Sequence, residues 1–304
     1  MADPLIAVVG PTAAGKSRLG LDLALAHGGE IVSCDSLQVY RGLDIGSAKA
    51  TAEERRRVRH HLVDVADPAL EFSAAEYGRQ ARAAVRDIAA RGRLPLVVGG
   101  SGLYLRALLQ GLFDGPSRDE AVRLRLEALA GRFGDARVHR LLRRIDPEAA
   151  ARVDPHDRVR VVRALEVFAL TGQPLSRHHD QAPPDPLAGF KVRVVVLDPG
   201  PVALRAAVET RTRQMFTGGL LGEVASLLGG GLSPEARPLR AIGYRQAVAV
   251  IRGEMSPEAA EQDTVTATMR YAKRQRTWFR HQVEAVWCPG PASAAAEAAA
   301  FLSA

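Results

Sequence analysis

The chain has 304 residues, 47% of them hydrophobic and 25% charged, enough for the core of one large domain or two modest ones. No run of about 18 apolar residues occurs, which excludes a helix that spans a membrane. The chain enters a strand with no basic-then-apolar leader, so a cytoplasmic protein is expected, and we expect it to be a monomer. A net charge of +7 points to a polyanionic partner, but only four of the 41 basic residues are lysines (16, 49, 191 and 273). Genome composition alone can produce that arginine bias, so where the arginines cluster matters more than how many there are. Cys34 and Cys288 lie far apart with no metal-ligand spacing and are expected to be free thiols.

In chain order, the apolar run 5–9 reads as a buried strand, and 18–27 has a helical pattern. Between them stands Gly10-Pro11-Thr12-Ala13-Ala14-Gly15-Lys16-Ser17, which matches G-x-x-x-x-G-K-[ST] at every fixed position. Strand, glycine-rich turn and helix form a phosphate cradle from backbone N–H groups and a helix N-terminus. Lys16 adds a point charge, and the Ser17 hydroxyl suits a magnesium ion bridging phosphate oxygens. A second strand, 30–34, runs into Asp35-Ser36-Leu37-Gln38, and Asp35 can serve as magnesium ligand, general base or turn-forming residue.

Helical patterns follow at 52–59 and 73–91, and a further strand at 94–98 ends in Gly99-Gly100-Ser101. Most P-loop ATPases carry an acid at such a strand end to help hold the metal. Its absence argues against a standard ATPase or GTPase; Ser101 is read as a substrate hydrogen-bonding group or part of a tight turn. The pair His60-His61 has no His or Cys at metal spacing and is read as structural. From 118 to about 177 the text turns arginine-rich and helical, with helices at 120–132, 136–145 and 158–170, between loops at 111–117 and 183–189. A strand returns at 191–197, and helices dominate from 202.

The alternation predicts an α/β fold: a P-loop NTPase-like parallel sheet flanked by helices, with an all-helical insertion. The core is assigned to 1–115 and 186–304, and the insertion to 116–185. Ligands are expected at the carboxyl ends of the strands, with Asp35 on a strand adjoining that of the P-loop. Three arginine groups stand out: Arg158, Arg160 and Arg163; Arg240-Ala241-Ile242-Gly243-Tyr244-Arg245; and the basic run 270–280, interleaved with Tyr271, Trp278 and Phe279. Basic residues next to aromatics suit nucleic-acid backbones and base stacking, and a solvated helix face is the plain alternative.

These motifs together resemble the bacterial tRNA dimethylallyltransferases (isopentenyl-tRNA transferases). The resemblance rests on residues 10–17, 35–40 with 44–49, 60–64, 99–104, Arg160 with 163–167, 243–246, and 273–275 with 277–280, in family order. It implies transfer of a dimethylallyl group from dimethylallyl diphosphate to N6 of adenosine 37 in tRNAs reading codons that begin with U. The P-loop would then hold the donor's diphosphate, with magnesium between it and Ser17. The resemblance casts Asp35 as the general base on N6, Ser101 as a positioning hydroxyl and Arg211, four residues before Met215, as a diphosphate ligand. It puts tRNA contacts at Asp35, Ser36, Leu37, Gln38, Ser101, Arg123, Val159, Arg160, Val161, Val162, Arg163 and residues 240–245, and we expect no membrane association and no obligate protein partner.

Ser47 and Ser101 replace family threonines, Ala50 stands where proline is frequent, and Ala207 stands where many members carry an arginine, for which Arg205 is the nearest substitute. Two rival readings remain, a P-loop small-molecule kinase and a non-catalytic tRNA-binding protein.

Overall fold

The computed structural model describes residues 2–112, 115, 116, 118–181 and 185–304, without the side chains of 179–181. Residues 113, 114, 117, 183 and 184 of the two loops expected around the insertion, together with 182, lie outside the described residues. The chain divides into one compact unit of Met1–Leu109 with Leu187–Ala304 and a second of Gln110–Pro186.

The first unit opens with strand β1 (Asp3–Val9), whose last five residues are all buried. Helix α1 (Lys16–His27) follows, then β2 (Glu30–Cys34), α2 (Ala52–Arg57), β3 (His60–His61), α3 (Ala74–Ala90), β4 (Pro95–Gly99) and α4 (Gly102–Leu109). Every residue of β2 and β4 is buried, as expected of parallel strands covered on both faces. Local chemistry sets the helix starts: the Thr51 hydroxyl accepts from the Glu54 amide in a capping box, and Ser73 accepts from the Glu76 amide.

The second unit holds α5 (Glu120–Phe133), α6 (Asp135–Ile145), α7 (Pro147–Arg152), α8 (Arg158–Thr171) and α9 (Leu175–Gln181). Ala130, Val138, Leu142, Ala150, Val161, Ala164 and Leu165 form its own core. The short helices α7 and α9 have too few turns to show a period in sequence.

The first unit resumes with β5 (Phe190–Leu197), α10 (Pro201–Thr217), α11 (Leu220–Gly229), α12 (Tyr244–Ile251), α13 (Pro257–Gln282), β6 (Val286–Cys288) and α14 (Pro291–Leu302). The six strands pair in parallel in the order β3-β2-β4-β1-β5-β6. This corrects the expected neighbourhood of Asp35: β4 lies between β2 and the P-loop strand β1. The edge strands β3 and β6, of two and three residues, were not foreseen because such short segments carry no periodicity. His61 Nε2 lies 2.7 Å from buried Glu30, which Arg91 also clamps. No helix among the described residues is long and apolar enough to cross a membrane.

Candidate active site

The phosphate loop leaves β1 at Gly10, whose φ of 140° and tight approach to β5 admit no side chain: a Cβ there would lie 2.4 Å from the Leu197 carbonyl oxygen. Ala13 and Gly15 also have positive φ, which turns successive amides toward one point. The Thr12 amide donates to Gln275 Oε1 at 2.9 Å. Among the described residues, no protein group accepts from the amides of Ala13, Ala14, Gly15, Lys16 or Ser17. Lys16 Nζ donates to the Pro11 carbonyl at 2.6 Å and is part-buried. Burial and then the nearby Arg211 bring its pKa down to about 8, against the opposing pull of Asp35 and Cys34.

Two cavities open at the carboxyl ends of the strands. The first, about 110 Å³, is lined by Lys16, Ser17, Gly99 and Gly100 together with the apolar Ile31 and Val98. The second, about 410 Å³, is lined by Ser36, Leu37, Arg240, Ala241, Ile242 and Arg245, and by Arg274 from α13. Thr12, Asp35, Ser47, Arg211 and Tyr271 line both. Asp35 therefore stands where the phosphate site and the arginine-rimmed site meet. One of its oxygens accepts the Leu37 amide at 2.9 Å, which fixes the carboxylate and leaves the other oxygen without a hydrogen bond among the described residues.

Arg211, on α10, donates from Nη1 to Thr12 Oγ1 at 3.0 Å, and burial lowers its pKa. Arg205, the substitute for the arginine missing at 207, is exposed, pairs with Glu209 at 3.5 Å and lines neither cavity. Arg211 therefore stands without a second arginine from α10. Ser101 also lines neither cavity; its backbone spends both polar groups on structure, N–H to the Cys34 carbonyl and C=O to the Leu105 amide, each at 3.0 Å. The Cys34 thiol, pushed up to about 12 by burial, stays protonated and is no nucleophile.

The basic run 270–280 resolves differently from its reading as a stacking surface. Because it is helical, its period of 3.6 turns the aromatics inward: Phe279 is fully buried and Trp278 packs over Gly102, with Arg106 5.5 Å from its ring centre. Arg276 is tied to Asp198 at 2.7 Å. Tyr271 alone among the three aromatics reaches the cavities, its hydroxyl pushed up to about 12 by burial, with Arg274 5.6 Å from its ring. Sequence reasoning gave Gln275 no role, yet its amide bridges Thr12 N–H and the Gly100 carbonyl, the latter at 2.8 Å. The signal was present as the one uncharged residue in Lys273-Arg274-Gln275-Arg276.

The second unit sorts its expected RNA contacts. Val161 and Val162 are buried, so their side chains are closed to a partner. Arg123 and Arg163 both clamp Glu166, at 3.0 and 2.8 Å, and Arg163 also donates to the Pro116 carbonyl. Burial alone would raise Glu166, but these bonds and the Asp119 amide outweigh it and hold the carboxyl below its ordinary range. Val159 and Arg160 face solvent, with Arg160 3.2 Å from Asp157.

The sequence model of the IPP transferase family matches residues 38–282. A tRNA dimethylallyltransferase of Myxococcus xanthus is 49% identical over 296 residues, covering 96% of this chain and 94% of that protein. The crystal structure of the full-length tRNA isopentenylpyrophosphate transferase from Bacillus halodurans has 38% identity and a TM-score of 0.67, covering 94% of this chain and 89% of the other. A eukaryotic dimethylallyltransferase captured acting on tRNA shares the fold, at 24% identity and a TM-score of 0.73 over 98% of this chain and 78% of its own. With the match running through the phosphate-loop unit and the helical unit alike, the chain belongs to the tRNA dimethylallyltransferase family of transferases.

Proposed function

We propose that this chain, in the cytoplasm and without an obligate protein partner, moves the dimethylallyl group of dimethylallyl diphosphate onto N6 of adenosine 37 in tRNAs reading codons that begin with U. The observation that supports this reading is the junction at Asp35: one cavity is lined by Lys16, Ser17 and Arg211, the other is rimmed by arginines, and a carboxylate with one oxygen free of hydrogen bonds among the described residues lines both.

The donor's diphosphate sits on the phosphate loop, whose amides of residues 13–17 have no acceptor among the described residues, with Lys16 and Arg211 against its charge. Such fixed donors are worth most where charge develops, here on the departing diphosphate as the C1–O bond breaks and the allylic carbon becomes electron-poor. The adenine N6 forms the new bond to C1. Its lone pair is conjugated with the ring, so it needs to lose a proton as it attacks, and Asp35 accepts that proton. For this the base leaves the anticodon-loop stack and enters the larger cavity. Arg240, Arg245 and Arg274 meet the phosphates around it.

Magnesium, when bound, neutralises charge on the diphosphate. The Ser17 hydroxyl lines the smaller cavity and has no hydrogen-bond partner among the described residues, so it is the protein group that would hold the ion. No cluster of three acidic, His or Cys residues that would hold a metal alone exists among the described residues.

Mass spectrometry of an anticodon stem-loop RNA incubated with the protein, magnesium and dimethylallyl diphosphate tests the proposal. One dimethylallyl group per RNA at adenosine 37 is expected. Unmodified RNA together with ATP-dependent phosphorylation of a small metabolite would establish the kinase reading instead.

A further inference from the structure

Glu223, on α11, lines neither cavity and belongs to no motif of the sequence, yet its carboxylate accepts four hydrogen bonds. Oε2 takes the amides of Asp44 and Ile45 at 2.9 and 2.6 Å, and Oε1 takes the Gly46 amide at 3.3 Å and the Tyr244 hydroxyl at 2.8 Å. Three consecutive N–H groups converging on one carboxylate form an anion nest occupied by the protein's own side chain. Among the described residues, no Lys, Arg or His makes an ion pair with it. Tyr244 is fully buried and closes the arrangement: Gly46 lets its ring lie against the loop, where a Cβ would be 2.5 Å from Tyr244 Cζ. Burial and the adjacent Glu223 charge raise the phenol well above its ordinary range, so the hydroxyl remains a donor.

What this carboxylate joins are two walls of the larger cavity. Gly46 and Ser47 line one side, and Arg240 to Ile242 and Arg245, which flank Tyr244 in sequence, line another. We infer that Glu223 is a positioning residue for the RNA acceptor, locking the 44–46 loop to α12 and so fixing the width of the cavity that receives the base. The inference rests on the proposed function. The phosphate loop is held separately, by Gln275 and Arg211, and makes no hydrogen bond to Glu223. The two substrates should therefore respond differently to its loss.

Glu223→Gln keeps the size but turns an NH₂ group toward backbone donors, so at least one oxygen's bonds are lost. The expected result is a fall of about 10- to 100-fold in kcat/KM for a stem-loop RNA, the size associated with hydrogen bonds to a charged group, carried mainly in the RNA KM. Affinity for inorganic diphosphate, measured by calorimetry, should stay within about two-fold, and amides 44–46 should exchange hydrogen faster. Tyr244→Phe removes one of the four bonds and provides a milder variant, with the same selectivity for RNA over diphosphate and a loss of about 3- to 10-fold. RNA kinetics unchanged in both variants, or RNA and diphosphate binding lost in parallel, would overturn the inference. If the wild type binds the RNA but prenylates none, the proposed function fails and Glu223 is judged by RNA anisotropy, where the same selective weakening is required. If the wild type binds no RNA, both readings fall.

Discussion

Lys16 gives a pH dependence that an ordinary lysine cannot. Its ammonium rests on the Pro11 carbonyl beside Arg211, and burial first, Arg211 second, bring its pKa down to about 8. A group with that pKa is roughly nine-tenths charged at pH 7 and about one-tenth charged at pH 9, whereas an unperturbed lysine near 10.4 stays charged at both. Only the charged form pulls on diphosphate, so the sign follows: affinity is near full at pH 7 and falls as pH rises through 8. Between pH 7 and 9 the loss is about ten-fold, equal to about 1.4 kcal/mol. Calorimetry of inorganic diphosphate at fixed ionic strength reads this directly, with Lys16→Arg as the reference. The guanidinium holds its proton across this range, so the ratio of the two proteins removes the ligand's own titration. A ratio that stays flat from pH 7 to 9 would refute the assignment of a depressed lysine to the phosphate loop.

Four further outcomes follow from the same geometry. Arg211→Ala should weaken diphosphate about 10- to 100-fold by calorimetry and also shift the Lys16 transition to higher pH, since one of the groups depressing it is gone. Gln275→Ala leaves the Thr12 amide and the Gly100 carbonyl without their partner and should cost about 1–3 kcal/mol for each group in chemical denaturation. Glu30, held down to about 2 by Arg91 against the cost of its burial, stabilises the fold above the unfolded value near 4.3 and loses that contribution as pH falls toward 2. Glu30→Gln should therefore destabilise the fold at neutral pH and progressively less as pH falls below about 4 in urea titrations. Replacing Arg240 and Arg245 together with Ala should weaken stem-loop RNA binding and reduce the salt slope by about 1–2, while unchanged slopes would mean that neither meets a phosphate.

Much of this was legible in the chain because it depends on local rules. The phosphate loop is read from fixed glycines and Lys16, and β1, β2, β4 and β5 from buried apolar runs. The two edge strands escaped because two or three residues have no period. Strand order escaped as well, since nothing in residues 30–34 says that β4 will come between β2 and β1. The basic run 270–280 shows the limit most clearly. Composition could not tell that Phe279 faces the core while Arg274 and Tyr271 face the cavities, because direction around a helix is set by tertiary packing. Glu223 had no signal at all: its partners lie 21 and 177 to 179 positions away, and only the folded chain brings them to one carboxylate.

The most direct test is single-turnover prenylation of an anticodon stem-loop RNA, with magnesium and saturating dimethylallyl diphosphate, by the wild type and by Asp35→Asn. Asparagine retains an oxygen for the Leu37 amide but cannot take the N6 proton. The expected result is transfer to adenosine 37 by the wild type and a rate about 10²- to 10⁴-fold lower in the variant, with RNA affinity within a few-fold. A variant that transfers at nearly the wild-type rate would remove Asp35 as the base, and a wild type that leaves the RNA unmodified would contradict prenyl transfer itself.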